Sequence, residues 1–260
     1  MQEAHYTIAD CPLSIALLSD LHDRNARPVL ASLRSHRPGI IAITGDFANG
    51  HVPQGPSKAE ESPNAQALLH DAAKIAPTYV SLGNHEWVLN DDDLKVFAAT
   101  GCTLLDNQWV MHDGVAIGGL TSARVDEYRR WRATQPASPR YQRMPVSHYA
   151  YAPLPRTEWL DDFCAAGSYR MLLSHHPEYW PWLKDRDIHL VLSGHAHGGQ
   201  WQYYSVRNRQ WKGVFAPGQG WFPQYTSGVY DERLVVSRGL ANTIRAPRFF
   251  NPRQVVYINC

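Results

Sequence analysis

Ile188-His189-Leu190-Val191-Leu192, running into Ser193-Gly194-His195-Ala196-His197-Gly198-Gly199, decides how this chain is read. A short apolar run bounded by a glycine-lined turn has the pattern of a strand buried on both faces. Its end delivers two histidines one residue apart. In extended backbone alternate side chains share a side, so such a pair leaves the strand with both imidazoles directed the same way. The surrounding glycines let the backbone turn tightly and keep bulk away from whatever binds there. Taken alone, the pair is equally a loop that carries two histidines, because imidazole makes a metal site only with partners.

Working outward, the same arrangement recurs. Leu13 to Ser19 is apolar and ends in Asp20-Leu21-His22; Ile40 to Thr44 ends in Gly45-Asp46; Thr78 to Leu82 ends in Gly83-Asn84-His85-Glu86; Tyr169 to Ser174 ends in His175-His176-Pro177. Between these runs lie helical patterns over Arg27 to His36, Ala65 to Ala76 and Thr157 to Cys164, the first stopped by Pro38-Gly39. Asp91-Asp92-Asp93 reads as a helix start rather than a metal cluster, since carboxylates face the positive end of the helix dipole there. Thr103-Leu104-Leu105, Trp109-Val110-Met111 and Val115-Ala116-Ile117 read as short strands, Gln200 to Tyr230 as glycine- and aromatic-rich hairpins, and Arg233 to Ser237 and Val255 to Ile258 as the last strands. Strand-helix alternation predicts a layered α/β fold, in which strand ends gather at one sheet edge and bring distant residues together.

Composition sets outer limits. The 260 residues suit one large domain spanning 1–260. With 19% charged residues, a formal net charge of +1 and no extended basic block, nothing in the bulk balance calls for long nucleic acid or an anionic membrane. A local site must decide the partner. Cys11, Cys102, Cys164 and Cys260 are scattered and read as reduced thiols rather than a zinc knuckle or disulfide framework. Met1 to Asp10 lacks the basic start and apolar stretch of a signal peptide, and no apolar run reaches membrane-spanning length, so a cytoplasmic protein without an integral membrane segment is expected.

Five successive strand ends therefore carry Asp20 and His22, Asp46, Asn84 and His85, His175, and His195 and His197. Carboxylate and amide oxygens mixed with imidazoles suit Mn, Fe or Zn, and the mixture fits two divalent metal ions better than one, with Asp46 able to bridge. His5, His36, His51, His70 and His112 are dispersed and read as surface or turn residues; His189 reads as a packing residue.

This ordered series resembles the motif set of the calcineurin-like metallophosphoesterases, from about residue 13 onward. Gly198-Gly199-Gln200 and Ser237-Arg238-Gly239-Leu240 further resemble the bacterial branch of cell-envelope phosphodiesterases and UDP-diacylglucosamine hydrolases. The resemblance implies an α/β/β/α sandwich, two central mixed sheets flanked by helices. It also implies a first metal held by Asp20, His22, Asp46 and His197, and a second held by Asp46, Asn84, His175 and His195. His176 as ligand, with His175 packing, is the alternative. Asp46 and His85 are the candidate catalytic residues, His85 standing beside the metals to neutralise charge or give a proton to the leaving oxygen.

The implied reaction is hydrolysis of a phosphodiester or phosphomonoester by in-line attack of a metal-bridging hydroxide. A nucleoside diphosphate sugar or lipid pyrophosphatase is the alternative within enzymes. A non-catalytic protein-binding scaffold is the alternative outside them, although such a chain is expected to lack several ligands. Thr121 to Arg156 breaks the strand-helix pattern with Arg129-Arg130-Trp131-Arg132 and reads as a cap or substrate-selecting insertion. Arg129 and Trp131 in it, and Arg238 at a late strand end, are the candidate substrate contacts, suited to a small, nucleotide-like phosphoester. The oligomeric state is open.

Overall fold

The computed structural model describes residues 1–48, 58–122, 156–207, 209–217, 219–242 and 246–259. Its strands are β1 (Gln2–Thr7), β2 (Ile15–Leu18), β3 (Ile40–Thr44), β4 (Thr78–Ser81), β5 (Thr103–Leu105), β6 (Gln108–His112), β7 (Val115–Leu120), β8 (Tyr169–Ser174), β9 (Leu190–Ser193), β10 (Gln202–Ser205), β11 (Gln210–Gly213), β12 (Phe215–Ala216), β13 (Gly220–Trp221), β14 (Gly228–Tyr230), β15 (Leu234–Val236) and β16 (Gln254–Asn259). The helices are α1 (Arg27–His36), α2 (Pro63–Ala73), α3 (Asp91–Ala98), α4 (Leu160–Ala165) and α5 (Trp180–Leu183). One six-stranded sheet runs β1-β16-β2-β3-β4-β5 and the other β14-β15-β9-β8-β7-β6, with β10-β11 and β12-β13 as separate hairpins.

The layering follows from the apolar strands. In β2, Ile15 and Leu17 point between the sheets, where they share a core with Ile40, Ala42, Ile117, Met171, Leu173, Leu190 and Leu192. Ala16 and Leu18, on the opposite side of the same strand, pack with Ile41 and Ile43 under Leu33 of α1, Leu68 and Leu69 of α2 and Phe97 of α3. The second sheet does likewise: Ala116, Leu172, Val191 and Val236 pack against Leu160 and Phe163 of α4 and Trp180 and Leu183 of α5. Each buried Leu or Ile contributes roughly 1.5–3 kcal/mol, so alternation alone selects four layers, α/β/β/α. The expected sandwich is the observed one.

One strand was illegible. β1 pairs in parallel with β16, yet its Gln2, Glu3 and His5 are exposed and only Ala4 and Tyr6 are half-buried. Such a polar edge strand has no apolar run to announce it. Asp106-Asn107 carries the chain from the first sheet to the second. The proposed cap, apart from Thr121, Ser122 and Arg156, lies outside the described residues. Among those described, no helix is long and apolar enough to cross a membrane.

Strands β2, β3, β4 and β5 are mutually parallel, as are β7, β8, β9 and β15. All their carboxyl ends therefore face one edge of the sandwich. The sheets approach closely at Gly119, where a Cβ would stand 2.3 Å from both the Cβ and the carbonyl oxygen of Leu105 in the facing sheet. Backbone cannot retreat as a flexible side chain can, so Gly119→Ala is expected to cost about 2 kcal/mol or more, at the upper part of the overpacking range. Urea unfolding measures it, and an unchanged midpoint would mean that the sheets are spaced more widely.

Candidate metal centre

Each strand end hands a side chain to one place. β2 leads to Asp20 and His22, β3 to Asp46, β4 to Asn84 and His85, β8 to His175 and His176, and β9 to His195 and His197. The two carboxylates are its hubs. Asp46 Oδ2 has His175 Nε2 at 3.1 Å, and His22 Nε2 and His85 Nε2 at 3.8 Å each. Asp20 Oδ1 has His197 Nε2 at 3.5 Å, His22 Nε2 at 3.9 Å and His175 Nε2 at 4.0 Å. Donor atoms of Asp20, His22 and His197 form one compact group, and those of Asp46, His175 and His195 another. His22, Asp46 and His85 make a further group, placing His85 within reach of the same carboxylate.

The backbone is bent to achieve this. Asp20, His22, Asp46, His195 and His197 all have positive φ, between 48° and 62°. Left-handed backbone at residues with a Cβ costs on the order of 1–3 kcal/mol each and persists only where surroundings over-determine it. Those surroundings are visible. Asp20 accepts from Ser19 Oγ at 2.5 Å and from the His195 N–H at 3.2 Å. Gly194 lies so close to this pair that a Cβ would overlap Ser19 Oγ. Asp46 Oδ1 accepts the His85 N–H at 2.8 Å. Glu86, fully buried, accepts the N–H groups of Asp46, Gly83 and Ala48 at 2.7, 2.7 and 3.0 Å, tying the loops after β3 and β4 together.

Electrostatics separate the histidines. Burial drives His22, His195 and His197 below the ordinary imidazole range, and His176 down to about 3, so these rings are neutral. Burial acts on His175 in the same direction, but the Asp46 and Asp20 carboxylates outweigh it and push the ring up to about 10. Burial opposes ionisation of Asp46 too, yet His175 and His85 hold it well below the carboxylate range. Burial and the neighbouring Asp46 charge push Glu86 up to about 8.

Several polar atoms here are buried without a hydrogen-bond partner: both ring nitrogens of His22, Asn84 Oδ1, and the Nε2 atoms of His176 and His195. Converging lone pairs left unsatisfied out of water fit divalent cations. His175 is already set for one, because its Nδ1–H donates to the Thr44 carbonyl at 2.6 Å and leaves Nε2 free toward Asp46. His176 instead donates Nδ1–H to Glu178 Oε1 at 2.9 Å. Of the two histidines in the His-His-Pro motif, His175 is thus the one that meets both carboxylates.

Three residues escaped the sequence reading. Glu178 Oε1 stands 3.8 Å from His195 Nε2, so His176, Glu178 and His195 form a group beside the second set. Arg248 Nη2 donates to His197 Nδ1 at 2.8 Å, and Asn251 Nδ2 to the His197 carbonyl at 2.7 Å. A guanidinium has only donors, so a cation on His197 Nε2 requires Arg248 to turn from Nδ1 to the carbonyls of Arg238 and Ala241 that it also meets. No motif marks Arg248 in Ala-Pro-Arg-Phe-Phe-Asn. Arg238 itself donates to Gln2 Oε1 at 3.3 Å and lines a cleft with Tyr6, Trp211 and Phe222. Arg129 and Trp131 lie outside the described residues.

Known proteins carry similar sequences. Bacillus subtilis YpbG, described as an uncharacterized protein, is 31% identical over 196 residues, 73% of this chain and 62% of its own length. YkoQ of the same organism, described as an uncharacterized metallophosphoesterase, is 29% identical over 199 residues, 72% of this chain and 62% of its own. F40B5.2 of Caenorhabditis elegans, also named a metallophosphoesterase, is 27% identical over 263 residues, 95% of this chain and 48% of its own. The chain thus spans about half to three fifths of these relatives. The profile of the calcineurin-like phosphoesterases matches residues 13–199, which contain all five strand-end motifs, and the chain belongs to that family.

Proposed function

We propose that this protein hydrolyses phosphoesters at a centre of two divalent cations, one held by Asp20, His22, Asp46 and His197 and the other by Asp46, Asn84, His175 and His195. The observation that carries this reading is the pair of buried carboxylates ringed by imidazoles, with donor atoms of His22, Asn84 and His195 left unpartnered. When bound, the cations would supply Lewis-acid relief of phosphoryl charge and lower the pKa of water. Manganese, iron and zinc all suit the donor set. The substrate is a small phosphodiester or phosphomonoester.

The residues divide the remaining work. Asp46, anchored by Glu86 through its own N–H and by the His85 N–H through Oδ1, keeps Oδ2 aimed at the imidazoles. His85 is 22% exposed where His22, His175, His195 and His197 are 9% or less, so it faces the solvent-filled approach. As water attacks phosphorus opposite the leaving oxygen, the P–O bond breaks and His85 gives that oxygen a proton.

A proton donor matters only where the leaving group needs a proton. His85→Asn is expected to lower turnover of an alkyl phosphoester by about 10²–10⁴-fold, the usual range for general acid catalysis, and turnover of a nitrophenyl ester much less. Metal content by elemental analysis stays the same. Equal losses on both esters, or loss of metal, would remove His85 from this role; inactivity of the metal-loaded parent on every phosphoester offered would favour a scaffold.

In the metal-free protein the His175 proton occupies the charge position between the carboxylates. A folded-state pKa of about 10 against an ordinary 6.5 means that the folded state binds the extra proton. That stabilisation is complete below about pH 6.5 and is lost as pH rises through 10. Glu86, raised to about 8, acts with the same sign up to that pH. The urea midpoint of the metal-free protein is therefore expected to fall from pH 6.5 to 10. Metal binding in this range releases a proton, measured by calorimetry in buffers of different ionisation enthalpy. His175→Asn flattens the alkaline limb; a limb equally steep in that variant would refute the assignment.

A further inference from the structure

The hairpins that follow the His195–His197 turn carry an aromatic surface that the metal centre does not use. Trp221, Phe222 and Phe250 are 66%, 71% and 73% exposed, and Val206, Phe249, Trp211 and Tyr204 are exposed as well. Single exposed rings are ordinary; contiguous ones mark an interaction site. Trp211 stacks on Phe250 with ring centroids 5.6 Å apart and meets Tyr204 edge-on at 5.6 Å, while Phe215 meets Trp221 at 5.4 Å. Trp211 and Phe222 line one open cleft of about 760 Å³ together with Tyr203, Lys212 and Arg238, which joins the two hairpins into one surface.

The hairpins themselves carry charge of a single sign. From Gln200 to Tyr230 the sequence contains no Asp or Glu but carries Arg207, Arg209 and Lys212; Asp231 and Glu232, both exposed, follow in the turn after β14. The hairpins that hold most of the exposed rings are therefore free of carboxylates. Val206, Arg207 and Arg209 sit together in the turn between β10 and β11, all exposed.

We propose that this surface docks on an anionic lipid bilayer. Tryptophan, tyrosine and phenylalanine enter the headgroup boundary, where an apolar ring with a polar edge is at home, and arginine and lysine reach the lipid phosphates. The chemistry separates this occupant from the others. A protein interface pairs a ring-rich centre with a rim of both charge signs, whereas the rings of these hairpins are interleaved with cations and no carboxylate. A second copy of this face would bring like charges together.

The surface is tied to the His197 turn. Val214 N, at the start of the second hairpin, donates to Gly199 O at 3.1 Å and Trp201 O at 2.9 Å, and Gln202 Nε2 donates to Gly198 O at 2.9 Å.

Sedimentation of the full chain with vesicles tests the proposal. Binding to phosphatidylcholine vesicles that contain phosphatidylglycerol is expected, with little binding to phosphatidylcholine alone and weakening as salt rises. The double variant Trp221→Ser/Phe222→Ser is expected to lose about tenfold or more in partition, with an unchanged melting temperature showing intact folding. Arg207→Ser/Arg209→Ser should lower both binding and its salt dependence. Absence of binding to the anionic vesicles, equal binding to neutral ones, or undiminished binding by the ring variant would each overturn the proposal. So would a parent dimer, seen by light scattering, that the ring variant dissolves, because the rings would then belong to a second copy.

Discussion

Two carboxylates placed out of water within reach of the same imidazoles are the constraint on which the rest of this structure depends. Asp20 and Asp46 are almost wholly buried, and His175 Nε2 lies within 4.0 Å of both. Burial of like charges so close together is unfavourable unless a cation sits among them. A proton on His175 meets part of that demand, and the histidine and carboxylate groups around it could hold a metal ion. Ligand geometry, buttressing and charge follow from placing these two groups.

Holding them takes bent backbone, and the fold distributes that strain. Five of the seven proposed ligands have left-handed φ, so relaxation of any one loop would release energy and scatter the donors. Glu86 opposes this from beneath the site, since one carboxylate gathers N–H groups from the loops after β3 and β4. The Thr44 carbonyl does the same between sheets by fixing the His175 ring. The parallel strands set where the loops begin, and a handful of polar contacts set where they end.

The sequence carried a large part of this. The core strands are largely apolar because each is covered on both faces, and that signal predicted β2, β3, β4, β8 and β9 with small shifts in their ends. The polar residues following those runs are the ones the fold brings together, because parallel strands end side by side. β1 was invisible because an exposed edge strand needs no apolar pattern. Arg248, Asn251 and Glu178 were invisible because their roles depend on which ring nitrogen or carbonyl they meet, which no spacing encodes. Helical periodicity placed α2 and α4 within a few residues of their observed ends, since Pro63 and the turn before Leu160 shift boundaries without altering the buried face.

Four consecutive residues join the centre to the aromatic surface. Arg248 and Asn251 turn inward to His197, whereas Phe249 and Phe250 between them are exposed, Phe250 stacked on Trp211. Four residues of extended chain reach at most about 14 Å, so rings and histidine are neighbours rather than opposite poles of the domain. Arg248 stands at their junction, and a cation on His197 Nε2 obliges its guanidinium to give up Nδ1. Anything that settles Phe249 and Phe250 also restricts the segment on which Arg248 rides. Docking and the composition of the first ligand group are in this way carried by one short stretch of chain, which is why the two proposals share a support while resting on different observations.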